Sequence, residues 1–303
     1  MPRAALFVWN RAWLLLALTT ALWGGNGVAS RLAVGRVTPM SLVFIRWLGV
    51  CLLLALVLRR DLEKYAPALR ANRWRIVLMG GFGFTAFTIL FYTAAYWTTA
   101  LNIVLLQASI PPLVLLGAAA MGFERVAPMQ IAGLAVTIAA VVTIATHGEP
   151  WRLAETHLNL GDAMILAACV FYAGHTLALR DKPALPPLVF FTALAFAALV
   201  TSIPFMVGEL AIGAFHWPTA SGWAILVFVT LGPSLASQIM FMRGVELIGP
   251  ARAGLFSNLT PVFGALAAVA LLGEEFHRYH ALALLMALGG IWLAERRAVP
   301  SET

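Results

Sequence analysis

Gly81, Thr85, Thr88, Tyr92 and Tyr96 are spaced four, three, four and four apart in an otherwise apolar stretch, which puts them on one face of a helix. Such a row is either glue between membrane helices or the wall of a cavity. Thr88 lies 150 positions before Gln238, which favours the cavity. Tyrosine suits a wall that handles amphipathic molecules, because its ring packs while its hydroxyl stays hydrogen-bonded. Further along, Phe171, Tyr172 and His175 share one apolar stretch, and His175 is the histidine nearest mid-membrane. Ionisable groups at that depth are candidate functional groups. His175 is either a neutral imidazole bonded to a neighbouring helix, or a substrate contact or proton acceptor. Arg46 lies about 10 Å along its helix from the outer end, at about 1.5 Å per residue. It could snorkel outward, cap freed carbonyls or pair with a substrate carboxylate.

A second set of residues surrounds two mid-helix prolines. Leu101 to Glu124 and Ala251 to Glu274 are weak copies at an offset of 150, with Pro111 matching Pro261 and Glu124 matching Glu274. Proline removes a helix hydrogen bond and frees a carbonyl, so each helix can kink there. Gln107 with Ser109, and Ser257 with Asn258, stand one turn earlier. In hydrocarbon a freed carbonyl needs a protein or water partner, so both pairs are expected to face inward. Pro111 and Pro261 are candidate hinges. Asn26, Asn102, Gln107, Gln238, Ser257 and Asn258 offer neutral groups for an ammonium and a carboxylate. For each, plain hydrogen bonding between helices is the competing use.

Acids are informative through where they fall. All thirteen lie in loops, tails or end turns, with Asp162 opening the sixth stretch and Glu124, Glu246, Glu274 and Glu275 at helix ends. Exchangers of organic cations for protons usually hold either in turn on a mid-membrane carboxylate. Neutral or zwitterionic cargo is therefore favoured. No zinc H-E-x-x-H, G-x-S-x-G, P-loop or dinucleotide fingerprint occurs, so neither a catalytic residue, a metal site nor a cofactor is expected. The Gly161-Asp162 pair lacks the second membrane aspartate of an aspartyl protease. No ring of charges or filter loop marks a channel.

Composition sets the elements that must position these residues. The 303 residues are 61% apolar and 11% charged, against roughly 25% charged in soluble domains. Apolar runs recur along the whole chain, as in a polytopic helical membrane protein. Ten spans are expected: 12-34, 39-58, 74-97, 100-122, 128-146, 159-180, 187-207, 220-243, 250-272 and 279-295. The segment from Leu58 reads as an interfacial helix anchored by Trp74. The first span follows Arg3 and Arg11 and could imitate a signal peptide cleaved near Val28-Ala29-Ser30. Its length reads instead as a retained span. Cys51 and Cys169 fall inside spans, so no disulfide framework is implied.

Fifteen Lys and Arg fall on the side holding both termini, among them Arg125, Arg180, Lys182 and Arg243. Four, Arg31, Arg36, Arg152 and Arg278, fall opposite, so both termini are expected in the cytoplasm. The net charge of +7 could suggest nucleic acid, but its basic residues are enriched in short loops beside apolar spans, where they orient the chain in a bilayer. Five spans on each side of the repeat give residues 1-147 and 148-303 opposite orientations. Inverted repeats of this kind recur in secondary transporters, with the substrate between the halves.

Trp23-Gly24 followed by Arg31, Pro39 with Arg46, and the segments from Pro111 to Glu124 and Pro261 to Glu274 resemble the drug/metabolite transporter superfamily, in its ten-helix EamA-type branch. Within it the chain is most similar to the YddG-type bacterial aromatic amino-acid exporters. That resemblance implies an inner-membrane exporter of amino acids and related metabolites. One departure is that the counterpart of Arg46 is Leu194, so its role is not duplicated.

The expectation is an all-α integral membrane carrier, with two inverted five-helix repeats around a central cavity that opens to each side in turn. Its partners are the lipid bilayer and a small-molecule substrate, an aromatic or large neutral amino acid moved by facilitated diffusion. The competing functions are a proton-coupled exporter of other metabolites or drugs, and a passive small-solute channel. The expected cavity residues are Trp23, Asn26, Arg46, Thr85, Thr88, Tyr92, Tyr96, Gln107, Tyr172, His175, Gln238, Ser257 and Asn258. The reading requires no second copy of the chain, and the oligomeric state stays open.

Overall fold

The computed structural model describes residues 9–123, 127–149 and 159–295. Arg3, Glu124, Arg125 and Arg152 lie outside the described residues. The described residues form helices and short connections, without a strand. Nine helices among them are long and apolar enough to cross a bilayer: α1 (Ala12–Ala33), α2 (Pro39–Ala71), α3 (Arg73–Ala94), α4 (Ala100–Ala120), α5 (Pro128–Ala145), α6 (Leu160–Asp181), α7 (Pro187–Ala211), α8 (Ala220–Ile248) and α9 (Arg252–Leu272). The tenth, α10 (Arg278–Glu295), carries a shorter apolar stretch. Proline stands at the first turn of α2, α5 and α7, where its missing N–H costs nothing. Gly273 closes α9 in the left-handed region at φ 67°.

α7 and α8 run past their expected ends at 207 and 243. α2 bends at Leu58 (φ −106°, ψ 16°), where the span was expected to end, and the helix expected from Leu58 runs on from there to Ala71. α7 reaches Ala211, which turns Glu209 from a loop residue into a buried helix residue.

Packing repeats between the halves. α1 lies on α8 and α9, as α6 lies on α3 and α4. α2 touches α8 as α7 touches α3, while α2–α7, α4–α9 and α5–α10 pair with their own counterparts. This is the pattern of an inverted repeat. With little hydrophobic drive between helices in lipid, small residues permit the close approaches. A Cβ on Gly24 would sit 2.5 Å from the Gly264 nitrogen, and one on Gly133 would sit 2.4 Å from the Gly290 carbonyl oxygen.

The helix irregularities recur too. α3 and α8 each contain one wide π segment, Gly81–Ala86 and Thr230–Ala236. α4 and α9 each tighten to a 3₁₀ turn, Gln107–Ser109 and Ser257–Leu259, just before the mid-helix proline. At one end of the bundle, here the His147 end, the loops are tied together. Thr219 N–H donates to the Arg36 carbonyl at 3.0 Å, the Asn159 amide to the Trp97 carbonyl at 2.6 Å, and His147 and Tyr279 rings lie 5.9 Å apart.

Candidate functional site

Arg46 is the centre of the site. It projects from α2 and is 6% exposed, and its guanidinium meets hydroxyls and ring faces. Nη1 donates to the Tyr92 hydroxyl at 2.7 Å, and that hydroxyl donates to Asn26 Oδ1 at 2.6 Å. Nε donates to Ser234 Oγ. Its Cζ lies 5.4 Å from the Trp47 ring centroid and 5.7 Å from that of Tyr92. No carboxylate among the described residues pairs with it. Four helices, α1, α2, α3 and α8, thus meet around one buried positive charge. The neighbouring Trp47 indole N–H is buried without an acceptor among the described residues.

The local structure of α8 prepares this contact. Pro233 stands inside the π segment and has no N–H to give the Val229 carbonyl. The Ser234 hydroxyl donates to that carbonyl instead, which leaves its oxygen free to accept from Arg46. Three residues on, Ser237 repeats the device: it donates to the Pro233 carbonyl at 2.6 Å and accepts from Trp23 Nε1 at 3.0 Å. Trp23 also packs on Phe241 with centroids 5.3 Å apart. π segments are frequent at functional sites because the extra residue re-aims neighbouring side chains. In α8 the re-aimed groups are the two serines.

An aromatic layer lies beside the charge. Trp47 stacks on Phe84 at 4.9 Å and 3° between planes, and Phe84 packs on His175 at 5.2 Å. Tyr172 lies 5.1 Å from Phe87 and 5.8 Å from His175. His175 Nδ1 is 3.1 Å from the Met79 carbonyl, so the ring bridges α6 to α3, with Nδ1 carrying the proton. Its fit depends on Gly83, where a Cβ would come within 2.3 Å of the ring.

The row expected on α3 is not kept as one face. The π segment adds a residue to the turn and α3 ends at Ala94, so Gly81 and Thr85 stay together against Thr201 of α7 while Tyr92 and Tyr96 enter other surroundings. Thr85 donates to the Ala198 carbonyl on α7 at 2.9 Å, beside Thr201 Oγ1 at 2.8 Å. Thr88 is buried and turns back to the Phe84 carbonyl at 2.5 Å. Only Tyr92 reaches Arg46. Tyr96 lies past the helix end, 40% exposed beside Trp97.

The carbonyls freed by the prolines are also satisfied differently from the expectation. The Ile110 N–H bonds the Gln107 carbonyl, and the Thr260 N–H bonds that of Ser257, within the 3₁₀ turns. No inward polar partner is needed. Gln107 folds back to the Ile103 carbonyl at 3.2 Å. Pro111 is exposed and Pro261 buried. Ser257 and Asn258 are half-buried in the second 3₁₀ turn. Gln238 is half-buried next to Ser237, and its amide makes no hydrogen bond among the described residues.

Several polar residues with defined jobs were not among those expected. Buried Glu209 accepts from the Thr38 and Ser41 hydroxyls and from the Met40 and Ser41 N–H groups, each N–H at 3.2 Å, which caps α2 from α7. Glu274 accepts from the Ala100 and Leu101 N–H groups at 2.8 Å each, capping α4 from α9. Asp162, 1% exposed, takes hydrogen bonds from Thr98 and Asn102. Beside it a cleft of about 200 Å³ is lined by Asn102, His147, Glu274, His277, Tyr279 and His280, among others. Among the described residues no three His, Cys, Asp or Glu are placed to hold a metal ion. The signal available for Ser234 was Pro233, a second mid-span proline whose first-half counterpart is Gly83 and which the repeat therefore hides.

A bundle of two related halves of long apolar helices, with polar groups at its centre, is that of a polytopic membrane protein. A family model described as the EamA-like transporter family matches residues 11–146 and again residues 159–295. The chain belongs to that family, whose members are transporters and not enzymes. It is 23% identical over 284 residues to the uncharacterised transporter YetK of Bacillus subtilis, covering 93% of this chain and 86% of that one. It is 24% identical to the uncharacterised inner membrane transporter YicL of Salmonella typhimurium, covering 94% and 95%. A crystal structure at 20% identity superposes with a TM-score of 0.64, covering 93% of this chain and 96% of that one.

Proposed function

We propose that this transporter exports amino acids, aromatic or large neutral ones, across a bacterial inner membrane by alternating access. One observation carries the reading: Arg46 is buried where four helices meet and no carboxylate among the described residues offsets its charge. A buried charge is stable only with partners, and hydroxyls with ring faces leave room for a stronger one. A substrate carboxylate is that partner. The Trp47 N–H lacks an acceptor and could add a second donor. The half-buried rings of Phe87 and Tyr172 would meet an aromatic side chain, with buried Trp47, Phe84 and Tyr92 packed behind them, and the free amide of Gln238 offers an acceptor to an ammonium.

In this reading residues 1-147 and 148-303 are the two moving halves, both termini are cytoplasmic and the His147 end faces outward. Pro111 and Pro261 mark where α4 and α9 flex. No proton-exchanging carboxylate is required, so transport runs down the substrate gradient. Counterflow tests this: liposomes preloaded with unlabelled tryptophan receive a trace of labelled tryptophan outside, with no pH gradient. A transient overshoot is expected. Its absence with tryptophan, methionine and threonine alike would remove the amino-acid assignment, and linear, unsaturable uptake would point to a channel.

A further inference from the structure

Glu274 closes the His147 end, and the reason lies in a difference between two ends that the repeat makes equivalent. Val104 in α4 and Gly254, at the start of the ninth helix, are the same position of the two halves, 150 residues apart. Val104 is fully buried, packed where a Cβ on Gly27 or Gly264 would meet it at 2.4 Å and 2.6 Å. A Cβ on Gly254 would meet nothing within 4 Å. Likewise Ala100–Leu106 packs on Thr260–Leu272, while Pro250–Phe256 and Ile110–Ala120 have no comparable interface. α4 and α9 therefore touch at the His147 end and stand apart at the other.

The touching ends are held by one side chain. Gly273 turns left-handed (φ 67°) and ends α9, which aims the Glu274 carboxylate at the first two N–H groups of α4. Those groups have no intrahelical partner, and a carboxylate there gains both charge-assisted bonds and the favourable end of the helix dipole. The other clamp at this end behaves alike. Glu209 caps α2, whereas Asp61, its counterpart at an offset of 148, is exposed and bonds to nothing among the described residues.

We infer that Glu274 is the positioning residue that latches α4 to α9 and holds the His147 end shut. Release of this carboxylate from Ala100 and Leu101 is required before the end can open. The inference rests on the alternating-access reading but not on the identity of the cargo.

The test uses the full chain in liposomes with Cys51 and Cys169 replaced and one reporter cysteine, V104C or G254C, probed by a maleimide. With Glu274 intact, V104C is protected and G254C reacts. Glu274→Gln keeps the shape but weakens both bonds. It is expected to raise V104C labelling on the order of tenfold and to lower G254C labelling in the same preparation. Glu274→Asp is expected to fall between. Unchanged V104C labelling overturns the inference. A rise at both reporters also overturns it, since that is loosening of the bundle rather than a switch between ends. Because labelling needs no substrate, failure of tryptophan counterflow leaves this result standing.

Discussion

The Tyr92 hydroxyl accepts from Arg46 and donates to Asn26, so a single oxygen orients a buried cation on α2 against an amide on α1. Removing it strands both partners. Tyr92→Phe is expected to destabilise the protein by about 1–3 kcal/mol, the cost of leaving buried polar groups unpaired. Thermal unfolding in detergent reads that loss. Transport is expected to fall as well, through a weaker apparent affinity, because Arg46 loses its fixed direction.

Gly83 and His175 form a tight pair in which the ring occupies the space a side chain would need. Gly83→Ala is expected to cost about 1–3 kcal/mol by overpacking. In a His175→Ala background the same change should cost much less, and a double-mutant cycle measures the difference. Additive losses would mean that the backbone of α3, not the imidazole, sets the requirement for glycine.

Glu209 collects four hydrogen bonds at the start of α2. Glu209→Ala leaves all four donors buried or partly buried without their acceptor. A loss of at least about 2 kcal/mol is expected in thermal unfolding, with Glu209→Gln intermediate. An exposed surface carboxylate would show almost no change.

The sequence repeat located much of this architecture. Prolines at an offset of 150 mark two helices that tighten at matching 3₁₀ turns, and the apolar runs mark the helices themselves. Glu209 and Glu274 were legible only as acids near helix ends. Their work depends on which foreign helix start comes within reach, and that is set by tertiary packing. The π segments were invisible for a related reason: one extra residue in a turn leaves no mark in hydrophobic periodicity. It nevertheless breaks any face extrapolated through it, as Thr85 and Tyr92 show. Tyr96 fell out because periodicity does not register a helix end.

Pro111 and Pro261 sit after turns that already satisfy the freed carbonyls, so replacing proline adds an N–H without relieving a defect. Pro111→Ala and Pro261→Ala are expected to let the helices straighten and to lower the maximal transport rate more than the apparent affinity. The buried Pro261 should show the larger effect. Initial rates across substrate concentrations separate the two parameters, and unchanged rates in both variants would remove the hinge.

Under the proposed function Arg46 reads the carboxylate of an amino acid. The most direct measurement compares counterflow of tryptophan and of tryptophanamide, which lacks that carboxylate, in wild type and Arg46→Gln of equal thermal stability. Wild type is expected to accumulate tryptophan and to discriminate against the amide, and Arg46→Gln to lose tryptophan counterflow by about tenfold or more with the discrimination abolished. Tryptophan counterflow at the wild-type rate in Arg46→Gln, with discrimination against the amide intact, would contradict the account.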